Sequence, residues 1–385
     1  MSMLRVVFSL LALASACPPA QGQEGATPSE LVRSLRAAQD KVALGDVDAH
    51  IALRALLVDV GRQLLATKPE VWKEPGNARA AVAFVLSGGD GRLLRRVVAL
   101  GPLPGVSDKL LQGVLARGEG RPGDAAELLL PINARSLDPS IAGHVALVQA
   151  ELVAKKDPKK AVAFLDDARL LAPGTLIEEA ALRRQVGIVA AIGEFDRFEM
   201  LAANYMRRFP RSIYAAAFRR QFAADMAGRD DAAEPSRLER MAAVLEAMGP
   251  AERRDAYLSI AREALARGKV ELARFAAVGA ARLAEGEEAD RRRAKLYEAA
   301  ALVATADFEA AMATLQALDE ARLAEEDLAL LEAARAVGAE VARPTPSAEA
   351  AGPKPAEDMA AAFKVADTAR SAIARADELI AIASK

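Results

Sequence analysis

The chain has 385 residues, 52% of them apolar but only 4% aromatic, and a formal net charge of -2 at pH 7. A core so poor in aromatics must be built from Ala, Leu and Val, which favours close-packed helices over a sheet sandwich; β-branched and aromatic runs at period two are nearly absent. The small net charge offers no bulk attraction to nucleic acid, and the length suits one long helical array or two compact domains.

Residues 1–22 read as a secretory signal. Arg5 supplies the positive start, Val6 to Ala14 a short apolar core, and Ala20-Gln21-Gly22 small residues for cleavage. The apolar core is too short to span a bilayer, and no other segment is long and apolar enough to do so. Cys17 is the only cysteine. Ala14-Ser15-Ala16-Cys17 gives a competing reading as a lipoprotein box, with Ala where Leu is expected at the first position. Cleavage after Cys17 would leave a mature chain with no thiol and therefore no disulfide, which suits an oxidising compartment.

Residues 23–29 form a polar leader. From Ser29 or Glu30 a helix runs to about Leu44, with Leu31, Leu35, Ala38 and Val42 at helical spacing, and Gly45-Asp46 breaks it. A second helix runs from about Val47 to Leu65. Trp72 to Asn77 is a turn, followed by a helix from Ala78 to Leu86. The lone Trp72 reads as a core plug between the first hairpin and the next, or as a partner contact. Arg92 to Leu100 is a short helix. Asp108 to Arg117 and Gly123 to Ala134 form a hairpin.

Ser140 to Arg211 is the clearest stretch. Asp157-Pro158 opens a helix: the Asp side chain accepts orphan N–H groups, and Pro fits the first turn. Ala161, Leu165, Ala168 and Pro173 then match the second helix of a tetratricopeptide repeat, a unit of roughly 34 residues. Thr175 and Glu178 form a capping box. Ile177, Ala181, Ile188 and Ile192 mark one apolar stripe and Leu182, Val186 and Val189 another, as in a helix sandwiched between neighbours. Gly193 ends it. Phe195, Phe198, Leu201, Ala202 and Tyr205 share a face of the next helix. Pro139 and Pro173 lie 34 residues apart, and Pro210 lies 37 further on.

Ser212 is expected to cap a helix through Met226. Gly228 to Ser236 is charged and loop-like, and helices follow over 237–248, 251–267, 269–284, 288–305, 308–318 and 321–339. The predicted fold is all-α, a tetratricopeptide-like α-solenoid of helical hairpins over residues 30–341. Residues 342–356, with four prolines, read as a semi-extended tether. Residues 357–385 read as one more amphipathic helix. Met359, Phe363, Ile373 and Ile380 on its apolar seam are the candidate partner-binding residues, the alternative being that the helix folds back to cap the array.

Catalytic patterns are missing. His50 and His144 are far apart and lack ligand-spaced carboxylates or thiols, so both read as helix-face residues, with no metal and no cofactor expected. There is no His-Glu-x-x-His, Gly-x-Ser-x-Gly or phosphate-cradling loop, and Ser87-Gly88-Gly89-Asp90-Gly91 lacks the trailing Lys. Glu178 and Glu179 are adjacent on a helix and point about 100° apart, so they do not converge on a substrate. Arg207, Arg208, Arg211, Arg219 and Arg220 form a basic cluster without interleaved aromatics. The residues thus describe an exported helical interaction protein, with no small-molecule substrate and no nucleic acid.

Several stretches resemble the motility protein C (MotC) family, periplasmic proteins of alphaproteobacterial flagellar motors. They are Leu31 to Leu35 with Gln39-Asp40 and Gly45-Asp46; Trp72, Pro75 and Asn77 leading into Ala80 to Gly89; Ala146 to Gln149; Leu165 to Arg184, most specific from Leu170 onward; and Arg208 to Ser212 with Tyr214. The likeness covers residues 31–218, with a vaguer helical likeness to residue 340. It implies a non-enzymatic accessory that works in the periplasm with the cell-wall-anchored stator subunit, the MotB type, and is needed for flagellar rotation. A general scaffold for another envelope complex, in secretion or wall synthesis, shares the features read from composition and spacing. A peptidoglycan hydrolase would need a convergent acid pair in a cleft.

Overall fold

The computed structural model describes residues 26–343, which contain helices, turns and loops and no strand. Residues 1–25 and 344–385 lie outside it, and with them the signal, most of the proline-rich stretch and Met359, Phe363, Ile373 and Ile380. The chain divides into two compact units, one through Ala301 and one from Leu302.

In the first unit the helices come as successive hairpins. α1 (Pro28–Ala43) pairs with α2 (Val47–Ala66), and α3 (Pro75–Leu86) with α4 (Gly91–Val98). α5 (Asp108–Gly118) pairs with α6 (Pro122–Leu129), α7 (Pro139–Val153) with α8 (Pro158–Leu171), and α9 (Leu176–Ala191) with α10 (Phe195–Arg208). α11 (Ala215–Ala227) packs on α13 (Pro250–Ala266), α12 (Pro235–Leu245) on α10, and α13 on α14 (Val270–Leu283). α15 (Glu288–Leu302) closes the series, and Arg254 of α13 pairs with its Asp290 at 2.6 Å. In the second unit α16 (Phe308–Ala317) and α17 (Glu325–Val341) form a hairpin, so close that Gly338 leaves room for Met312. This is the expected all-α array of helical hairpins.

Local chemistry sets where helices start. Pro28, Pro75, Pro122, Pro139, Pro158, Pro235 and Pro250 each occupy a first turn, where the missing N–H has no intrahelical partner to lose. Asp46, Asp90, Asp138 and Asp157 accept from first-turn N–H groups.

Some expectations are corrected. α1 starts at Pro28, because Thr27 and Glu30 form a reciprocal capping box. The box expected at Thr175 is half-made. Thr175 Oγ1 accepts from Glu178 N at 3.5 Å, but the Glu178 carboxylate turns to the N–H of Gly174 at 2.6 Å and to Arg208 at 2.7 Å. Ser212 caps no helix: it is buried, and its hydroxyl accepts from Tyr214 N ahead of α11. α6 stops at Leu129, well short of Ala134. Gln149 Nε2 donates to the carbonyls of Leu129 and Ile132, each at 2.7 Å, and takes up groups that a longer helix would have used.

The core of the first hairpins is α3. Ala78 and every residue from Ala80 to Val85 are buried, and the helix touches α1, α4, α5 and α7. A helix apolar all round belongs in an interior. Trp72 sits in a short 3-10 turn against α3 and is 1% exposed, so it is the core plug.

Repeat arrays touch mainly their sequence neighbours. Here α1 also rests on α9, and Asp40 Oδ1 accepts from Leu176 N at 3.0 Å across 136 residues. The turn after α1 presses on the chain beyond α10. Gly45 has φ +96°, and a Cβ there would lie 2.3 Å from the carbonyl oxygen of Arg211. Gly88 has nearly the same φ, +94°, but open space around it. Gly88→Ala is therefore expected to cost about 1 kcal/mol for the left-handed backbone alone. Gly45→Ala is expected to cost about 3 kcal/mol or more, because backbone must also move. Urea unfolding of the two variants side by side measures the difference.

Candidate functional site

Side chains from α1 meet three distant backbone groups around one cleft. Arg36 Nη1 donates to the carbonyl of Ser140 at 3.0 Å, Gln39 Nε2 to that of Ser87 at 3.2 Å, and Asp40 accepts from Leu176 N. These α1 residues sit three and four apart, on one helical face. Between them lies a cleft of about 150 Å³, lined also by Ser87, His144, Leu147, Thr175 and Ile177.

The cleft holds the outline of a hydrolytic triad without its wiring. Ser87 Oγ and His144 Nε2 share a hydrogen bond of 3.0 Å, and Asp40 is nearby. A working triad needs the acid on the other imidazole nitrogen. His144 Nδ1 has no hydrogen-bond partner, and the Asp40 oxygen is engaged by Leu176 N. Burial, with the Arg36 charge as a second cause, pushes His144 down to about 3, so its imidazole is a poor proton acceptor at neutral pH. Burial also raises Asp40 above its ordinary 3.8. Ser87 and His144 thus tie α3 to α7. His50 is exposed on α2. Among the described residues no cluster of three or more His, Cys, Asp or Glu could hold a metal ion, and no helix is long and apolar enough to cross a membrane.

Charged groups elsewhere are used for cohesion. Glu178 and Glu179 take separate partners, Arg208 for the one and Tyr205 for the other. Glu179 is fully buried, accepts from the Tyr205 hydroxyl at 2.6 Å and pairs with Arg183 one turn on. Burial and that carboxylate push the Tyr205 phenol up. The basic cluster is dispersed: Arg208 pairs with Glu178 and Arg207 bonds Asn204.

The stretch 228–234 gave no hint of its role beyond charge. Arg229, with its side chain 1% exposed, pairs with Glu199 at 3.1 Å and Asp231 at 2.9 Å, and lies 3.8 Å from the Phe195 ring centre. Arg240 adds a second cation to Glu199, and Arg237 to Asp231. Only the odd placement of one Arg next to Gly228 and two Asp could have signalled this.

Removing one partner of a buried pair leaves uncompensated charge. Arg229→Met is expected to lose about 3 kcal/mol of stability. Arg135→Ala, which breaks an exposed pair with Asp167, is expected to lose about 0.5 kcal/mol. Chemical denaturation compares them.

The buried imidazole also links stability to pH. The unfolded side chain binds a proton below about 6.5, while the folded one resists until about 3. Between those values the unfolded state holds more protons, so stability falls as pH falls, by up to about 1.4 kcal/mol per pH unit. Asp40, raised by burial, acts in the opposite sense just above its ordinary value. The difference between wild type and His144→Asn therefore isolates the imidazole: the variant is expected to lack this part of the slope when unfolding is followed from about pH 7 to about pH 5.

A family model described as Chemotaxis protein MotC matches residues 1–384. Chemotaxis protein MotC of Rhizobium meliloti (strain 1021) is 34% identical over 353 residues, which cover 89% of this chain and 80% of that protein. No solved structure matches the chain. Built from helical hairpins and matched along nearly its whole length, the chain belongs to the MotC family of chemotaxis proteins.

Proposed function

We propose that this chemotaxis- and motility-related protein is exported to the periplasm by residues 1–22. There it acts without catalysis, by binding and steadying the periplasmic part of the flagellar stator subunit of MotB type so that the motor can turn. The observation that carries this reading is the family match over residues 1–384. The hairpin array supports it, since stacked helices present extended surfaces to a partner segment. The unwired Ser87–His144 contact gives no support to the hydrolase alternative. Residues 357–385 dock on the partner through Met359, Phe363, Ile373 and Ile380, with 342–356 as their tether.

Deletion of the gene is expected to leave flagella assembled but still. The stator's periplasmic region is expected to co-purify with the full chain, and more weakly with a chain that lacks residues 342–385. Normal swimming of the deletion strain overturns the reading. Recovery of secretion or wall-synthesis proteins in place of the stator replaces it with the general envelope scaffold.

A further inference from the structure

Four large apolar side chains stand exposed on one face of α2 and the turn before it. Leu44, Val47, Ile51 and Val58 are between 60% and 71% exposed. With exposed Ala55, the α2 residues Val47, Ile51 and Val58 follow steps of three and four, one line along the helix, and Leu44 stands at the end of α1 just before the turn. α2 packs on α1 behind and touches α4 near its end, and nothing among the described residues covers this line. Toward the C-terminal end the line opens into a groove of about 540 Å³, lined by Leu57, Val58, Gly61, Leu65, Gly88 and Gly89 and edged by the charged Arg62, Asp90 and Arg92. Exposed apolar surface of this kind marks an interaction site.

The face is complementary to itself. Asp48, Ala55 and Arg62 are seven residues apart, hence two helical turns each, and lie along one edge of the apolar line. Asp48 and Arg62 are both exposed, and Arg62 reaches Asp59 one turn back. A guanidinium has five donors, so that contact leaves capacity for another acceptor. Turn a second α2 antiparallel about an axis through Ala55. Asp48 of each copy then faces Arg62 of the other, about 10 Å to either side of the axis. The same turn brings Val47 of each copy over the groove beside Gly61 and Leu65 of the other. Ala55 has no bulk to hold the backbones apart. Arg54, exposed on the opposite edge, can lay its stem along the contact with its charge in water. One operation thus satisfies charge and shape together, as an isologous interface requires.

We propose that α2 is the contact of a two-fold symmetric homodimer, paired antiparallel with α2 of a second copy about an axis through Ala55. Sedimentation equilibrium of the purified protein over about a hundredfold range of concentration is expected to reach twice the monomer mass at the upper end. Ile51→Asp places a charge on an exposed site and leaves the monomer fold alone. It is expected to weaken association roughly tenfold or more with the far-UV helical signal unchanged. Asp48→Arg and Arg62→Asp are each expected to weaken it. The double exchange D48R/R62D recreates the cross-axis attraction and is expected to recover much of the loss, which loss of apolar contact alone would not explain. A single species of monomer mass at every concentration overturns the proposal. So does a dimer that Ile51→Asp leaves intact, or one that disappears only when residues 344–385 are removed.

Discussion

The first unit depends on α1 lying across helices that come much later in the chain. Its contact with α9 turns a series of neighbour-to-neighbour hairpins into a closed packing, with α3 enclosed between α1 and α7. The enclosure explains α3's composition. Small residues at Ala78, Ala80, Ala81 and Ala83 let surrounding helices approach, and Val82, Phe84 and Val85 fill what remains. The hydrogen bonds that Arg36 and Gln39 donate and Asp40 accepts then set the angle and height of α1, because each joins a backbone group whose position is already set by another helix.

Polar groups inside the apolar array constrain how its helices can pack. A buried donor without a partner costs roughly as much as several buried methylenes gain. Buried glutamines on α7 and α9 reach back to the preceding chain: Gln149 to Leu129 and Ile132, Gln185 to the Val162 carbonyl and Asp166. Glu179 and Arg229 do the same work with charge, each surrounded by partners on more than one segment. Such groups add little net stability over an apolar replacement, but they penalise every misaligned packing of the same helices. In an array whose apolar contacts are mostly interchangeable Ala and Leu, that penalty selects the register.

How much could be read ahead of the structure follows from the range of each interaction. Helix starts at Asp157-Pro158, the break at Pro173-Gly174 and the α9 stripe of Leu182, Val186 and Val189 are written within a few residues and appear as expected, while of the other stripe Ile177 and Ala181 are buried and Ile188 and Ile192 only half-buried. The burial of Trp72 follows from its size and rarity. The half-made cap at Thr175 already needed Arg208, thirty residues on, to pull Glu178 away. The early end of α6 needed Gln149, and the interior position of Arg229 needed Glu199 and Phe195. His144 read as a helix-face residue, and its partner Ser87 lay in what looked like a bare glycine-rich loop. The cleft around them is assembled by α1, α3, α7 and α9, and no local pattern announces such a meeting. Residues on 357–385 fall outside the described chain, so their part rests on spacing alone.

The contact between Asp40 and Leu176 has a consequence for the order of assembly. α1 meets α9 through a residue 136 positions further along the chain, so the α1–α2 hairpin cannot reach its final packing while the middle of the chain is still being made. Long-range closure of this kind raises contact order and delays consolidation. Until α9 arrives, the face of α1 that will meet it stays open to wrong partners, so an incomplete chain is most exposed to misassembly at this hairpin.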